Sequence, residues 1–359
     1  MEVRTVNAVV DGIKALDRNW ITKARERTAR LCMPPRALGR LHSIAERCCA
    51  IQATLAPVID RKAVLVMAGD HGIAAEGVSA FPQEVTGAMV RTFLAGGAGI
   101  NAIARHVGAQ VWVVDMGMIP DIDPRTVEGG RFLKVHKVGP GTASFVHGPA
   151  MTRDQAVQSV MTGFRLASEQ FESGVQVLGT GDMGIANTTP SAAIGAVVTQ
   201  ASLDEMVGRG TGVSDKGLAC KKSVIAKGLE INRPDRRDGL DILAKVGGFE
   251  IGGLAGLALA GAFHQRPVVI DGFISTAGAL IAQAICPTVT DYLFAGHQSE
   301  EPGHKIMLRH LGLQPILDLG MRLGEGTGGA MAMSIMEGAL RVFKEVLTFD
   351  EAGVAEKNN

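Results

Sequence analysis

The sequence is poor in aromatic residues: 2 Trp, 1 Tyr and 12 Phe are scattered over 359 positions. That removes the stacking platforms on which single-stranded nucleic acids are held. It also lacks an excess charge of either sign, with 36 Lys and Arg against 36 Asp and Glu, whereas nucleic-acid proteins carry a basic face. No nucleic-acid partner is expected. Cysteines are few and odd in number (Cys32, Cys48, Cys49, Cys220 and Cys286), with no C-x-x-C pair. They read as small buried hydrophobes in a reducing cytosol. The first residues, MEVRTVNAVVDGIK, hold no apolar signal region, so a cytoplasmic location is expected. The longest apolar run, Val246–Phe263, contains Glu250 and is mostly Gly and Ala; it reads as a buried helix, and no membrane partner is expected. There is no G-x-S-x-G elbow and no P-loop lysine motif, which takes support from serine hydrolysis and P-loop chemistry.

Glycine is abundant, at 46 residues, clustered in short motifs without a period, as in a loop-rich enzyme and unlike a fibre. Several β-branched runs end in a small or acidic residue. Ala63–Ala68 precedes Gly69-Asp70-His71, Val111–Val114 precedes Asp115, and Val175–Leu178 precedes Gly179. Val268–Ile270 precedes Asp271-Gly272, Tyr292–Phe294 precedes Ala295-Gly296-His297, and Ile316–Leu317 precedes Asp318. Helix-length patterns lie between them, including Glu84–His106, Ser191–Gln200 and Thr276–Ile285. This alternation predicts an α/β fold, a mostly parallel sheet with helices on both faces. Ligands in such sheets bind beyond the carboxyl ends of the strands, so the Asp, Gly and His residues there are expected to line the site. The chain ends differ: Val6–Ala24, Leu38–Leu55 and Ala330–Leu347 read as helices. A small helical domain from residues 1–60 and 331–359 is expected beside a large α/β catalytic domain, 61–330.

Four loops are candidates for chemistry. Gly179-Thr180-Gly181-Asp182-Met183-Gly184 fits G-x-G-x-x-G after a strand, with Thr189 as a helix cap and Pro190 in the first turn. An NAD site would need an acidic strand end about 20 residues on, and Ser202–Met206 is not a strand; a tight turn without a ligand is the plainer alternative. Gly208–Asp215 is a second glycine loop, in which Ser214 caps a helix carrying Cys220, Lys221 and Lys222; by themselves these lysines read as a solvated helix face. In the third loop Gly324 and Gly326 flank Glu325 and clear space for a flat ligand. A desolvated Glu there serves as a general base, or it is simply a carboxylate at a helix start. The fourth, Gly296–His304, brings two histidines and acids together, but Pro302-Gly303 breaks any helical ligand spacing. A polar loop is expected there, not a metal.

Taken together, AGDHGIAAEGVSAFPQEVT (68–86), LAGGAGINAIARHVGA (94–109), GTGDMGIANTTPSAA (179–193), GRGTGVSDKGLACK (208–221), DGFISTAGAL (271–280), GHQSEEPGH (296–304) and LGEGTGGAMAM (323–333) resemble the nicotinate-nucleotide–dimethylbenzimidazole phosphoribosyltransferase family in order and nearly end to end. The resemblance implies a Rossmann-like parallel sheet, a homodimer, nicotinate mononucleotide and a benzimidazole-type base as substrates, and no cofactor. It places Glu325 as the general base. Gly181, Met183, Gly184, Asn187 and Thr188 would lie along the nucleotide, with Gly210, Thr211, Lys221 and Ser299 nearby and Asp271 a polar contact. Such a transfer has a cationic leaving group, so one base and a phosphate anchor suffice. A relative using another base or a phenol, and a nucleotide-binding module without turnover, are the rival readings.

The chain also departs from the family pattern. Asp182 stands where the family usually has Glu, a side chain shorter by about 1.5 Å of reach, and Ala186 stands where it usually has Gly. Gly87-Ala88 replace an amide-bearing segment, and Met33-Pro34-Pro35-Arg36-Ala37-Leu38-Gly39 replaces a Lys-Pro-Pro-Gly-Ser-Leu-Gly stretch. These changes bear on base specificity more than on the reaction.

Overall fold

The computed structural model describes residues 5–354. Six strands form one fully parallel sheet in the order β3-β2-β1-β4-β5-β6. They are β1 (Lys62–Gly69), β2 (Ala109–Gly117), β3 (Leu133–Val135), β4 (Val177–Met183), β5 (Val268–Ile270) and β6 (Leu293–Ala295). β7 (His297–Ser299) and β8 (Leu317–Met321) make a second, two-stranded parallel sheet. From β1 the order runs outward one way through β2 and the other way through β4. The topological switch point, where α/β sheets open a crevice, therefore lies between β1 and β4.

Before the sheet come α1 (Val6–Gly12), α2 (Arg18–Arg30) and α3 (Arg40–Ile51). The expected helix over 6–24 breaks because Asp17 caps a new one, accepting a hydrogen bond from the Asn19 N–H. The pattern over 84–106 likewise forms two helices, α4 (Val85–Leu94) and α5 (Gly99–Val107); Gly96-Gly97 part them, with Gly96 in the left-handed region. Next come α6 (Arg153–Glu172), α7 (Thr188–Thr199), α8 (Leu203–Met206), α9 (Asp215–Asn232), α10 (Gly239–Val246) and α11 (Phe249–Phe263). The last are α12 (Phe273–Ile285), α13 (Pro302–His310), α14 (Thr327–Glu345) and α15 (Phe349–Ala352).

Glycines set how closely these layers meet. On one face of the sheet a Cβ at Gly179 would lie 2.9 Å from Met333 of α14. On the other, a Cβ at Gly253 of α11 would lie 3.3 Å from the Met67 sulfur. Helices thus cover both faces, as expected. The run containing Glu250 is α11, buried along its length and pressed on α6, where a Cβ at Gly163 would come 2.0 Å from the Gly253 carbonyl. A helix apolar all round belongs in a core, and among the described residues no helix is long and apolar enough to cross a membrane.

Both chain ends meet. Arg27 Nε donates to the Phe343 carbonyl at 3.0 Å, and the Cys32 N–H donates to the Leu347 carbonyl at 2.8 Å. Their buried side chains run continuously into the sheet core. All five cysteines are free. Cys48, Cys49 and Cys286 are buried as expected, and burial pushes the Cys48 and Cys49 thiols up to about 12; Cys32 and Cys220 are only half-buried.

Candidate active site

A cavity of about 430 Å³ opens at the carboxyl ends of β4 and β5, a volume suited to a small organic ligand. One wall is the turn from β4 into α7, with Asp182, Met183, Gly184, Ile185, Asn187 and Thr188. Gly210 and Thr211 face it from the second glycine loop, with Ser299 and Glu301 beside them. The start of α12, His297, and the Arg322–Glu325 loop complete the polar side; Phe81, Val85, Met89 and Leu323 supply an apolar one.

The β4–α7 turn is tightly determined. A Cβ on Gly184 would lie 2.4 Å from the Gly69 carbonyl, so only glycine fits there. The Ile185 N–H donates to Thr86 Oγ1 at 3.1 Å, tying the turn to α4. Ala186 adopts φ +74°, a left-handed conformation unusual for a side chain bearing a Cβ. The expected cap at Thr189 does not form: α7 begins at Thr188, and Thr189 Oγ1 is buried without a partner. Asn187, the residue before the helix, turns its amide onto Asp182 instead, Nδ2 donating to Oδ2 at 3.0 Å. Asp182 Oδ1 is buried without a hydrogen bond. Burial, reinforced by the nearby Asp271 charge, pushes this carboxyl up to about 8.

Glu325 sits in an unusual backbone. Gly324, Glu325 and Gly326 are all left-handed, at φ +82°, +63° and +95°. Neighbouring elements hold this loop in place: a Cβ at Gly181 would lie 2.5 Å from the Glu325 carbonyl, and one at Gly326 2.9 Å from the Thr180 carbonyl. Gly181 and Gly326 thus act by close packing under the loop and do not line the cavity. The Glu325 carboxyl is buried against the cavity, its Oε2 accepting the Ile100 N–H at 3.0 Å. It therefore does stand at a helix N-terminus, but that of α5, not of its own helix α14. Burial raises its proton affinity and the Ile100 N–H partly opposes the rise. Asp271 performs the duty at α14: Oδ1 accepts from the Gly329 N–H at 2.8 Å and Oδ2 from the Gly326 N–H at 3.3 Å. Asp271 thus lies behind the cavity wall.

Lys221 corrects the expectation of a solvated helix face. Ser214 caps α9 as expected, but Lys221 is buried, and its Nζ donates to Thr188 Oγ1 at 2.6 Å and to the Gly208 carbonyl at 3.5 Å. Burial lowers the ammonium to about 8, with Glu301 pulling the other way. Glu301 in turn accepts the Gly210 N–H at 2.9 Å, so the lysine, the glycine loop and Thr188 form one unit at the cavity wall. Lys222 is the partly exposed member, paired with Asp204.

Not every strand-end residue reaches the cavity. Gly272 and His297 do; Asp70, His71, Asp115 and Asp318 do not. His71 Nε2 instead meets Glu250 Oε1 at 2.8 Å in full burial, and Asp318 is exposed on β8. His304 Nδ1 accepts the Ser299 N–H and its Nε2 meets Thr276 Oγ1, both at 2.8 Å. Both ring nitrogens are thus spent on internal bonds, and burial takes this imidazole down to about 3. Among the described residues no three His, Cys, Asp or Glu side chains are grouped to hold a metal. Phe81, Val85 and Leu323 lie within the segments 68–86 and 323–333 but had no role assigned to them, and Met89 and Arg322 lie outside every motif; only the i, i+4 spacing of Val85 and Met89 could have marked a shared helix face.

A phosphoribosyltransferase family model matches residues 13–354. A nicotinate-nucleotide–dimethylbenzimidazole phosphoribosyltransferase of Syntrophotalea carbinolica is 51% identical over 98% of this chain and 99% of its own length. Its counterpart in Geobacter sulfurreducens is 52% identical over 95% and 96%. The crystal structure of the enzyme of that name from Thermus thermophilus superposes with a TM-score of 0.89 at 42% identity, covering 95% of this chain and all of the other.

Proposed function

The chain belongs to the nicotinate-nucleotide–dimethylbenzimidazole phosphoribosyltransferase family, and from that premise we propose how its cavity works. The reaction passes the phosphoribosyl group of nicotinate mononucleotide to dimethylbenzimidazole, giving α-ribazole phosphate and nicotinate for the lower ligand of cobalamin. Glu325 is the general base. It takes the N–H proton of the benzimidazole as the lone pair of the other ring nitrogen forms the bond to C1′ of the ribose, so that the ring ends neutral. The bond from C1′ to the pyridinium nitrogen breaks, and its electron pair neutralises the departing ring. No acid is needed on that side, and attack opposite the leaving group inverts C1′.

One observation carries this reading: a buried carboxylate in a left-handed glycine loop faces a cavity of ligand size, fixed through one oxygen to the start of α5. Phosphate binding alone gains nothing from such a group. The nucleotide lies along Asp182, Met183, Gly184, Asn187 and Thr188, with its phosphate toward Thr188, Gly210, Thr211 and the Lys221 ammonium, whose charge is unspent on any ion pair among the described residues. Ser299 adds a hydroxyl on that side. The flat base lies against Phe81, Val85, Met89 and Leu323, between Gly324 and the helix α4.

The same reading divides the chain into a catalytic portion, 61–330, and a helical portion from both ends, 1–60 and 331–359, of which 1–4 and 355–359 lie outside the described residues. It includes a homodimer in the cytosol. Phe81, Leu319 and Leu323 are large apolar side chains exposed near the cavity mouth and on β8, a surface that a second copy would cover. Sedimentation at twice the 37.6 kDa chain mass supports the dimer, and sedimentation at that mass removes it. An end-point assay with nicotinate mononucleotide and dimethylbenzimidazole tests the reaction. Free nicotinate with an equal amount of ribosylated base supports it; nucleotide binding without turnover on any benzimidazole, purine or phenol acceptor moves the non-catalytic module ahead.

A further inference from the structure

We propose that the N-terminus of α12, with His297 beside it, is the subsite for the carboxylate of the departing nicotinate, and is what separates a pyridine carboxylate from its carboxamide. The proposal rests on the reaction assigned above.

Two independent observations meet at this point of the cavity. The first is the helix start. Gly272 precedes α12 and has no side chain to cap it. The N–H groups of Phe273, Ile274 and Ser275 have no acceptor among the described residues, the first internal bond being Thr276 N–H to the Gly272 carbonyl at 2.9 Å. Gly272, Phe273 and Ile274 all line the cavity. Free N–H groups and the positive end of a helix dipole favour an anion.

The second is His297. It is 1% exposed, lines the cavity, and has a hydrogen bond at neither ring nitrogen. Buried polar groups are normally paired, and the neighbouring His304 shows what a satisfied histidine in this loop looks like. Asp271 Oδ1 lies 3.6 Å from His297 Nε2, too far to hold its proton, and that carboxylate is already used at the start of α14. The ring cannot turn away, because it packs so closely on α14 that a Cβ at Gly328 would sit 2.0 Å from Cδ2. Its Nε2 stands 3.1 Å from where a Cβ of Gly272 would be, directly at the helix start. In either tautomer an imidazole offers one N–H donor, and here it is unspent.

The substrate carries two anions. The phosphate, the more highly charged, matches the Lys221 ammonium on the Thr188 side. The neutral donors of α12 and His297 match a single carboxylate. A carboxamide there would present its own NH2 to N–H donors and lose part of the binding.

The test compares nicotinate mononucleotide, nicotinamide mononucleotide and nicotinate riboside with the unaltered protein and with His297→Ala and His297→Gln. The unaltered protein should prefer the carboxylate over the carboxamide by about 100-fold in kcat/KM, the scale of one or two hydrogen bonds to a charged group. His297→Ala should narrow that ratio about tenfold through loss on the carboxylate substrate alone, and His297→Gln, which keeps an N–H donor, should restore part of it. The preference for nucleotide over riboside should not move. An unchanged carboxylate preference in His297→Ala overturns the proposal, and so does a collapse of the nucleotide-to-riboside ratio, which would give the subsite to the phosphate. Absence of turnover in the unaltered protein counts against the assigned reaction instead. In that case titration of nicotinate and nicotinamide into both proteins decides: a tenfold loss for nicotinate alone supports the subsite, and an equal change for both ligands overturns it.

Discussion

The two halves of the sheet's carboxyl edge carry the same kinds of residue and use them differently. On the β1–β2 half, Asp115 Oδ1 accepts the N–H groups of Gly117 and Met118 at 3.0 and 2.9 Å, Lys137 lies 3.6 Å from its other oxygen, and Asp70 Oδ2 accepts the Ile119 N–H at 2.7 Å. These acids bind the backbone of one turn and close it. On the β4–β5 half, Asp182 accepts only the Asn187 amide and no backbone N–H, and both Asp182 and Glu325, the latter tied through one oxygen, border the cavity. An orphaned oxygen does not tell the halves apart, since Asp70 Oδ1 and Asp115 Oδ2 lack a hydrogen bond as Asp182 Oδ1 does. An acid near a strand end is therefore ordinary architecture when backbone N–H groups use it behind the cavity wall, as with Asp115 and, on the other half, Asp271. It becomes a candidate for chemistry when it borders the cavity, as Asp182 and Glu325 do.

The sharpest way to break this contrast is to remove one charge from each half. Glu325→Gln should lower kcat/KM about 1,000-fold, within the usual worth of a general base, while nucleotide affinity by calorimetry changes less than threefold. Asp115→Asn should leave kcat/KM within threefold. A Glu325→Gln variant with near-normal turnover would put both halves in the same class. The pH profile carries the same information. Burial raises the Glu325 proton affinity above the ordinary carboxylate value, and a carboxylate acting as the proposed general base works only when ionised. Activity should therefore be lost as pH falls, through a midpoint above that value, and Glu325→Gln should erase that limb.

Lys221 extends the comparison to the cation. Its ammonium is buried on the cavity half, whereas Lys137 on the other half serves Asp115 and Asp121. Lys221→Met should raise KM for the nucleotide about 10- to 100-fold, as expected for a lost charge-assisted contact, with kcat nearly kept. Because burial lowers this group to about 8, kcat/KM in the parent protein should fall as pH rises through about 8 and the ammonium is lost. A KM that Lys221→Met leaves unchanged would return this lysine to a packing role.

The β-branched runs and the apolar 246–263 stretch announced the parallel sheet and its buried helix, because strand and core periodicity are local properties. Glu325 was legible for the same reason: a lone acid between glycines is a local oddity. Lys221 was not, since its burial comes from the packing of α9 on α7 and on the Gly208 carbonyl, contacts made by distant segments. Nor could the sequence separate Asp115 from Asp182; both end a strand, and only the loop that folds back to supply N–H groups tells them apart. The apolar wall was not legible, because Phe81 and Leu323 come from loops more than 200 residues apart and only Val85 and Met89 share an element, α4.

On the closed half the effect should appear in stability alone. Asp115→Ala leaves the Gly117 and Met118 N–H groups without their acceptor, and an orphaned buried group costs about 1–3 kcal/mol. Thermal unfolding should shift down by several degrees while kcat/KM per folded molecule stays within threefold. A loss of activity at unchanged stability would mean that the β1–β2 turn reports to the cavity.

The smallest effect is expected within the open half itself, at Ala186. Its φ of +74° places a Cβ in a left-handed conformation, which costs roughly 1–2 kcal/mol. Ala186→Gly relieves that strain but frees the unfolded chain, an opposing effect of about 0.4–1 kcal/mol, and it removes a methyl that is buried. The net should be a gain of about 0.5 kcal/mol, a shift of a degree or two in thermal unfolding. Asp182 and Asn187 ride on this turn, yet Thr86 and the close contact at Gly184 hold it independently of residue 186; kcat/KM should change less than threefold. If Ala186→Gly instead destabilises the protein, the buried methyl outweighs the strained backbone, and the turn at the open half owes its shape to packing, as the closed half owes its shape to Asp115.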